Sequence, residues 1–335
     1  MRVIKKDYFR FTTRNMQLVT RNTHVIGKKT SYKDALWLAI NVVVGLKLIS
    51  NRKVKARRRG LFEIHIAVLF FGLAGLFGKL VLLPSTIIVL GRVFFATIFL
   101  SLALLYSKQG IRLRQKQDYF FMALMGVILA VHWVTFFQAI QVSTVAIGLL
   151  TFSTFPVFVT FLEPFYFRER LEVKDILVAF VAVVGVAFVI EEFEMRNSIT
   201  QGALWGIASG FTFALLSIMN RKYVKEYSSI VVAFYQDLIA TVVLLPFLFL
   251  AAPVFRLTDI FLLFLLGVIF TGLAHTLFIK GLASVKAQKA SIIASLEPVY
   301  GIIAAILLLG AIPTLRVILG GVIILGAAFY ATVKH

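Results

Sequence analysis

From Ile64 to the end of the chain, apolar windows about 20 residues long follow one another almost without interruption. A bilayer core of about 30 Å needs about 20 apolar residues per helix. That repeated length points to an all-α integral membrane protein, because a helix satisfies its own backbone polar groups in lipid. Ten windows can be drawn, at 64–83, 86–106, 119–140, 144–167, 176–190, 202–219, 230–251, 260–280, 287–309 and 314–333. Composition agrees: 60% of the residues are hydrophobic, against about 45–50% in soluble proteins.

Loop charge orients these windows, since Lys and Arg collect on the cytoplasmic side. One set of alternate loops holds Lys108, Arg112, Arg114, Lys116, Arg168, Arg170, Lys174, Arg221, Lys222, Lys225, Lys280, Lys286 and Lys289. The other set holds Arg196 and Arg256, with Arg316 at the start of the last span. Both termini are therefore expected in the cytoplasm.

The net charge of +20 does not mark a nucleic-acid partner, and none is expected. Residues 1–60 hold 16 Lys and Arg against Asp7 and Asp34, while the remaining 275 residues have 19 against 13 acids. The excess belongs to one N-terminal segment. This segment is read as basic and cytoplasmic, with an amphipathic helix at 34–50 and the cluster at 53–59 resting on anionic lipid headgroups. The alternative reading is sequence upstream of the true start. A transit peptide would be Ser-rich, and only Ser31 and Ser50 occur here. Zero Cys and five scattered His leave no metal-ligand spacing, and no metal or cofactor is expected.

The chain also repeats itself. FFQAIQVSTVAIGLLTFSTFPVFV at 136–159 aligns with FIKGLASVKAQKASIIASLEPVYG at 278–301 at a constant offset of 142, so Phe136 meets Phe278 and Pro156 meets Pro298. Near the same offset, STI at 85–87 meets SSI at 228–230. Five spans per copy is an odd number. The second copy, 202–333, must then enter the membrane upside down relative to the first, 61–190, which is inverted-topology repetition.

These stretches resemble the drug/metabolite transporter superfamily, and specifically its EamA-type ten-helix members. The resemblance rests on AIQVSTVAIGLLTFSTFPVFVTFLEPFYFRERL at 139–171 and LASVKAQKASIIASLEPVYGIIAAILLLGAIPTLRVILGGVIILG at 282–326. Arg92 in VLGRVFFA resembles an arginine of the family's second helix, and Trp205 with Ala214 resembles the sixth. One departure is visible: the turn acid of the first half, Glu169, corresponds to Ala311 in the second. The resemblance implies a small-molecule carrier, often an exporter of amino acids or related metabolites, in a bacterial inner membrane, with its cavity between the halves.

Ionisable residues within a bilayer are costly and point to function. Lys79 and Arg92 lie toward the ends of their spans, where long side chains can also snorkel to the interface. His132 and His275 fall one position apart on repeat alignment, either as a cavity pair or as a helix-to-helix hydrogen bond. Asp237, beside Gln236, lies inside the seventh span, and Trp133 and Phe213 suit an apolar pocket wall. The sharpest signal is Glu297 next to Pro298, with Pro156 as the counterpart in the other half. Proline cannot donate its N–H, so each is expected to free a carbonyl four residues back, at Ala294 and Phe152. A carboxyl beside such an opening can exchange a proton or bind a substrate ammonium.

No G-x-x-x-x-G-K-[ST] nucleotide loop occurs, so the expected function is secondary transport of small organic metabolites by alternating access. A channel-like facilitator would need a continuous polar stripe, and the spans offer isolated polar residues. An intramembrane hydrolase would use Ser209, in GIASG at 206–210, with a distant histidine, but the nucleophile spacing is not met. The chain is not expected to be an enzyme.

Overall fold

The computed structural model describes residues 54–167, 173–190, 194 and 196–333. The expected amphipathic helix at 34–50, and Arg168, Glu169 and Arg170, lie outside the described residues. The compact unit treated below runs from Arg59 to His335. All regular structure among the described residues is helical.

The helices are α1 (Val54–Leu80), α2 (Ser85–Tyr106), α3 (Lys116–Val142), α4 (Val145–Phe152), α5 (Phe155–Phe167), α6 (Val173–Val189), α7 (Ser198–Tyr223), α8 (Ser229–Ala251), α9 (Leu257–Leu282), α10 (Ala287–Ala294), α11 (Glu297–Leu309) and α12 (Leu315–Val333). Among the described residues seven helical spans are long and apolar enough to cross a membrane, with α4 and most of α5 counted as one. Three shorter apolar helices, Ile176–Val189, Glu297–Leu309 and Leu315–Ala327, fall where further spans are expected. The first span is already helical at Val54, within the basic run and ahead of the apolar window at 64.

Short polar signals set the boundaries. Thr144 Oγ1 accepts from Ile147 N at the start of α4, and Asn197 Oδ1 accepts from Ile199 N at the start of α7, each supplying a partner to an otherwise orphaned N–H. Gly310 ends α11 in the left-handed conformation, φ 64°, which glycine adopts without steric cost.

The expected proline openings take a different form. α4 stops at Phe152 and α5 starts at Phe155, so Pro156 is the second residue of a new helix; α10 stops at Ala294, and Pro298 is likewise second in α11. A missing N–H costs nothing at that point. The chain therefore breaks ahead of each proline instead of losing one bond inside a continuous helix.

Contacts between helices define an inverted two-fold. Gly202 on α7 lies where an added Cβ would come 2.2 Å from Ser143 Oγ and 3.1 Å from Ala139 O; Gly60 on α1 would come 2.2 Å from Ser284 Oγ and 3.1 Å from Gly281 O. Gly60 and Gly202 are equivalent residues, as are Gly281 and Ala139. The same interface is built twice. Along α3 and α7 the contacts run antiparallel, from Ser143 with Gly202, through His132 with Ser209, to Phe121 with Tyr223. Along α1 and α9 they run from Gly60 with Gly281, through Phe71 with Phe278, to Phe77 with Phe270. α2 runs parallel to α9, with Phe95 on Phe264 and Gly272 against Phe99, and antiparallel to α3, with Ser85 on Gln138 and Arg92 on Trp133. These senses fix α1 and α7 in opposite directions, which is the inversion expected from two odd-numbered units.

Candidate functional site

Thr97 of α2 and Thr241 of α8, one to two places from its repeat equivalent, meet at 3.4 Å between hydroxyl oxygens. Trp133 and His275, equivalent at the offset of 142, meet with ring centroids 5.4 Å apart and planes at 69°. The two-fold partner of His275 is thus Trp133, not His132.

A cavity opens beside this pair. Its aromatic walls include the equivalent residues Phe71 and Phe213, with Phe136 and Phe152; its polar groups are Arg92, His132, His275 and Glu297. Phe213 and Phe278 bring the two halves into contact at 5.5 Å between centroids. The cavity leaves about 20 Å³ for the centre of a water-sized sphere, room for a water or two at about 10–15 Å³ each. At that size the cavity does not hold a metabolite in this conformation.

Each polar group is held differently. Arg92 is 2% exposed; it has not snorkelled to the interface. Its Nε donates to Thr271 Oγ1 at 2.9 Å, and its Cζ lies 3.8 Å over the Trp133 ring, a cation–π contact that suits a guanidinium. Thr271 sits in a π-helical stretch of α9, Val268–Leu273, and its hydroxyl also donates to Leu266 O at 2.8 Å. The widened turn brings that hydroxyl to the arginine. Arg92 has no ion-pair partner among the described residues.

His132 Nδ1 is 3.1 Å from the Ser209 carbonyl and 3.0 Å from Ser209 Oγ. A carbonyl only accepts, so Nδ1 carries the proton. The serine and histidine of the hydrolase reading do meet, but at a nitrogen already occupied by a proton. Neither ring nitrogen of His275 has a hydrogen-bond partner among the described residues. Glu297, the first residue of α11 and 3% exposed, makes no hydrogen bond or ion pair among the described residues. Its equivalent is Phe155, so the acid occurs once.

The structure therefore brings Arg92, His132, Trp133, His275 and Glu297 together and leaves three of the sequence candidates elsewhere. Lys79 Nζ donates to Gln141 O and Ser143 O, at 3.2 and 2.8 Å, near the end of α3. Gln236 Nε2 donates to Asn220 Oδ1 at 2.7 Å. Asp237 is fully buried, outside the cavity wall. Among the described residues no group of three or more His, Cys, Asp or Glu is placed to hold a metal. Sequence reasoning missed Thr271, whose role depends on a distant π turn, and Phe71, whose signal was its equivalence to Phe213.

Comparison with known proteins agrees with the duplicated architecture. The EamA-like transporter family matches twice, over residues 58–191 and 200–333. The chain belongs to this family. A transporter of Bacillus subtilis (strain 168), YxxF, is 26% identical over 84% of this chain and 92% of its own length. The S-adenosylmethionine uptake transporter of Rickettsia bellii is 25% identical over 71% of this chain and 80% of its own. A solved crystal structure, 17% identical, shares the fold with a TM-score of 0.60 over 84% of this chain and 96% of that one.

In this EamA chain the end carrying the basic loops is tied between the halves. Lys280 Nζ meets Glu63 at 2.7 Å, and Arg221 pairs with Glu163. Ser228 Oγ donates to Gln109 Oε1 at 2.8 Å, Tyr235 OH to Ile111 O at 3.0 Å, and Tyr227 OH to Asp118, while Arg114 N donates to Tyr227 OH at 2.9 Å. Burial first, and then the bond to Asp118, pushes the Tyr227 phenol above its ordinary range, so it keeps the proton this latch uses. At the other end, Lys79, Gln141 and Ser85 bond within the first half.

Proposed function

We propose that this EamA transporter exports small amine-bearing metabolites, amino acids or related compounds, across a bacterial inner membrane by alternating access. Glu297 takes the substrate ammonium, the aromatic walls take its apolar part, and Arg92 balances charge. The reading is carried by the single carboxyl exposed to a cavity on the two-fold between inverted halves, where transporters of this build bind their cargo. The relative named for S-adenosylmethionine uptake supports a cargo with an amino-acid group. The small size of the cavity supports a carrier over an open pore.

Counterflow in proteoliposomes, with a panel of amino acids and S-adenosylmethionine, tests this. Saturable exchange of at least one amine-bearing compound is expected, and non-saturating conductance overturns the carrier reading. The basic-loop end is proposed to be cytoplasmic, with both termini. In a chain without native Cys, a single Cys replacing Gln109 is expected to resist an impermeant reagent in intact cells and to react after permeabilisation. Labelling in intact cells reverses the orientation.

A further inference from the structure

Arg92 is a buried cation whose hydrogen-bonding capacity the fold leaves mostly unspent. Of its N–H groups only the one on Nε has a partner among the described residues, Thr271 Oγ1 at 2.9 Å. That bond and the Trp133 ring, 3.8 Å from Cζ, fix the guanidinium in place while both Nη nitrogens stay unpaired. The side chain is 2% exposed and lines the cavity.

His275 is a second group of this kind. It is equally buried, lines the same cavity, and has no hydrogen-bond partner at either ring nitrogen among the described residues. Buried polar side chains are nearly always hydrogen-bonded, and even a neutral imidazole has an N–H to donate. Arg92 and His275 meet the same indole, the imidazole with its centroid 5.4 Å from that of Trp133 and its plane at 69°. They come from opposite halves, on α2 and α9. Around one aromatic ring the fold therefore gathers a fork of unpaired guanidinium donors and an unpaired imidazole.

Glu297 lines this cavity too but makes no hydrogen bond or ion pair with either among the described residues. The acceptor that suits a guanidinium fork is a carboxylate, whose two oxygens match two parallel N–H groups. Charge points the same way. With Arg92 cationic, Glu297 anionic as in the reading above and the imidazoles neutral, the cavity carries no net charge. A molecule bearing both an ammonium and a carboxylate keeps it so, whereas a bare amine adds a buried charge and a phosphate dianion adds more beside Glu297, both at a cost.

Resting on the transporter reading above, we propose that Arg92 and His275 form a carboxylate subsite, which makes the cargo a free amino acid rather than amines in general. The ammonium goes to Glu297. The carboxylate oxygens accept from the Nη groups of Arg92 and from a ring N–H of His275, so the carboxylate touches both halves. An apolar side chain then lies against the Phe71 and Phe213 walls. The grip forms in a wider state of the cavity than the present one.

The test is competition against counterflow in proteoliposomes, with a radiolabelled mixture of leucine, valine and phenylalanine as probe. The unlabelled competitors are the same amino acids, their carboxamides, and the amines that lack the carboxyl group; every analogue keeps the ammonium and the side chain. Wild type is expected to prefer the acids over both analogue sets by at least about tenfold. Arg92→Gln is expected to weaken the acids by about 10–100-fold and to leave the amines unchanged, which closes the gap. His275→Gln, which leaves the contacts of Arg92 with Thr271 and Trp133 in place, is expected to narrow it severalfold. A folding defect would instead lower acids and amines together. Equal competition by acids, amides and amines in wild type overturns the subsite whatever the variants do, as does an intact gap in an Arg92→Gln protein that still exchanges. Counterflow of a labelled amine when no amino acid exchanges overturns it as well. Absence of saturable exchange of any amine-bearing compound in wild type overturns instead the transport reading on which it rests.

Discussion

Glu297→Gln is expected to weaken binding of amine-bearing substrates by about 10–100-fold while leaving the protein inserted and its thermal unfolding nearly unchanged. A hydrogen bond to a charged group contributes about 1.5–3 kcal/mol, and about 1.4 kcal/mol is tenfold in affinity. Glutamine keeps the size and the acceptor oxygen but loses the charge. Because the side chain makes no hydrogen bond or ion pair among the described residues, little of the fold depends on that charge. Counterflow titration gives the affinity, and a melting curve in detergent gives the stability. Equal affinity in variant and wild type would return Glu297 to a structural role.

Gly72→Ala is expected to damage the same site from behind. An added Cβ at Gly72 would sit 2.6 Å from the carbonyl oxygen of Glu297, 3.0 Å from Tyr300 Cβ and 3.1 Å from Gly301 N. The nearest obstacle is backbone, which cannot swing aside. Gly301 is equally crowded, with an added Cβ 2.8 Å from Gly72 O, so two glycines let α1 and α11 approach closely, as small residues do between membrane helices. Forcing them apart should cost about 1–3 kcal/mol and displace the first turn of α11, which carries the carboxyl. Lower melting temperature together with lost exchange is the expected outcome. Gly326→Ala, where an added Cβ meets nothing within 4 Å, is the control and should change neither. A Gly72→Ala protein that exchanges normally would show that α11 can shift without consequence.

The architecture was legible because its signal is local and repeated. Apolar length gave the spans, and the offset linking Phe136 to Phe278 gave the duplication. The same offset applied one turn earlier pairs Trp133 with His275, but their difference in chemistry drew attention to His132 instead. Arg92 was ambiguous for another reason. Its depth in α2 does not reveal that Trp133 and the π-turn hydroxyl of Thr271 wait for it on two other helices. The latch of Tyr227 with Asp118 was invisible, since it joins a loop to the first turn of a helix more than a hundred residues away. Positions set by one helix are readable in sequence; positions set by three helices converging are not.

A residue on a two-fold axis faces its own copy. In a dimer of two identical five-helix chains, the place now shared by Trp133 and His275 would hold two tryptophans or two histidines, and Phe155 and Glu297 would be either two phenylalanines or two acids. A doubled acid would leave two carboxyls around one small cavity, and a doubled phenylalanine would leave none. Joining both copies in one polypeptide frees each position to differ from its twin. The chain thereby holds a π surface opposite an imidazole and a single carboxyl where the twin position holds a phenyl ring, a one-sided cargo site that symmetry would otherwise forbid.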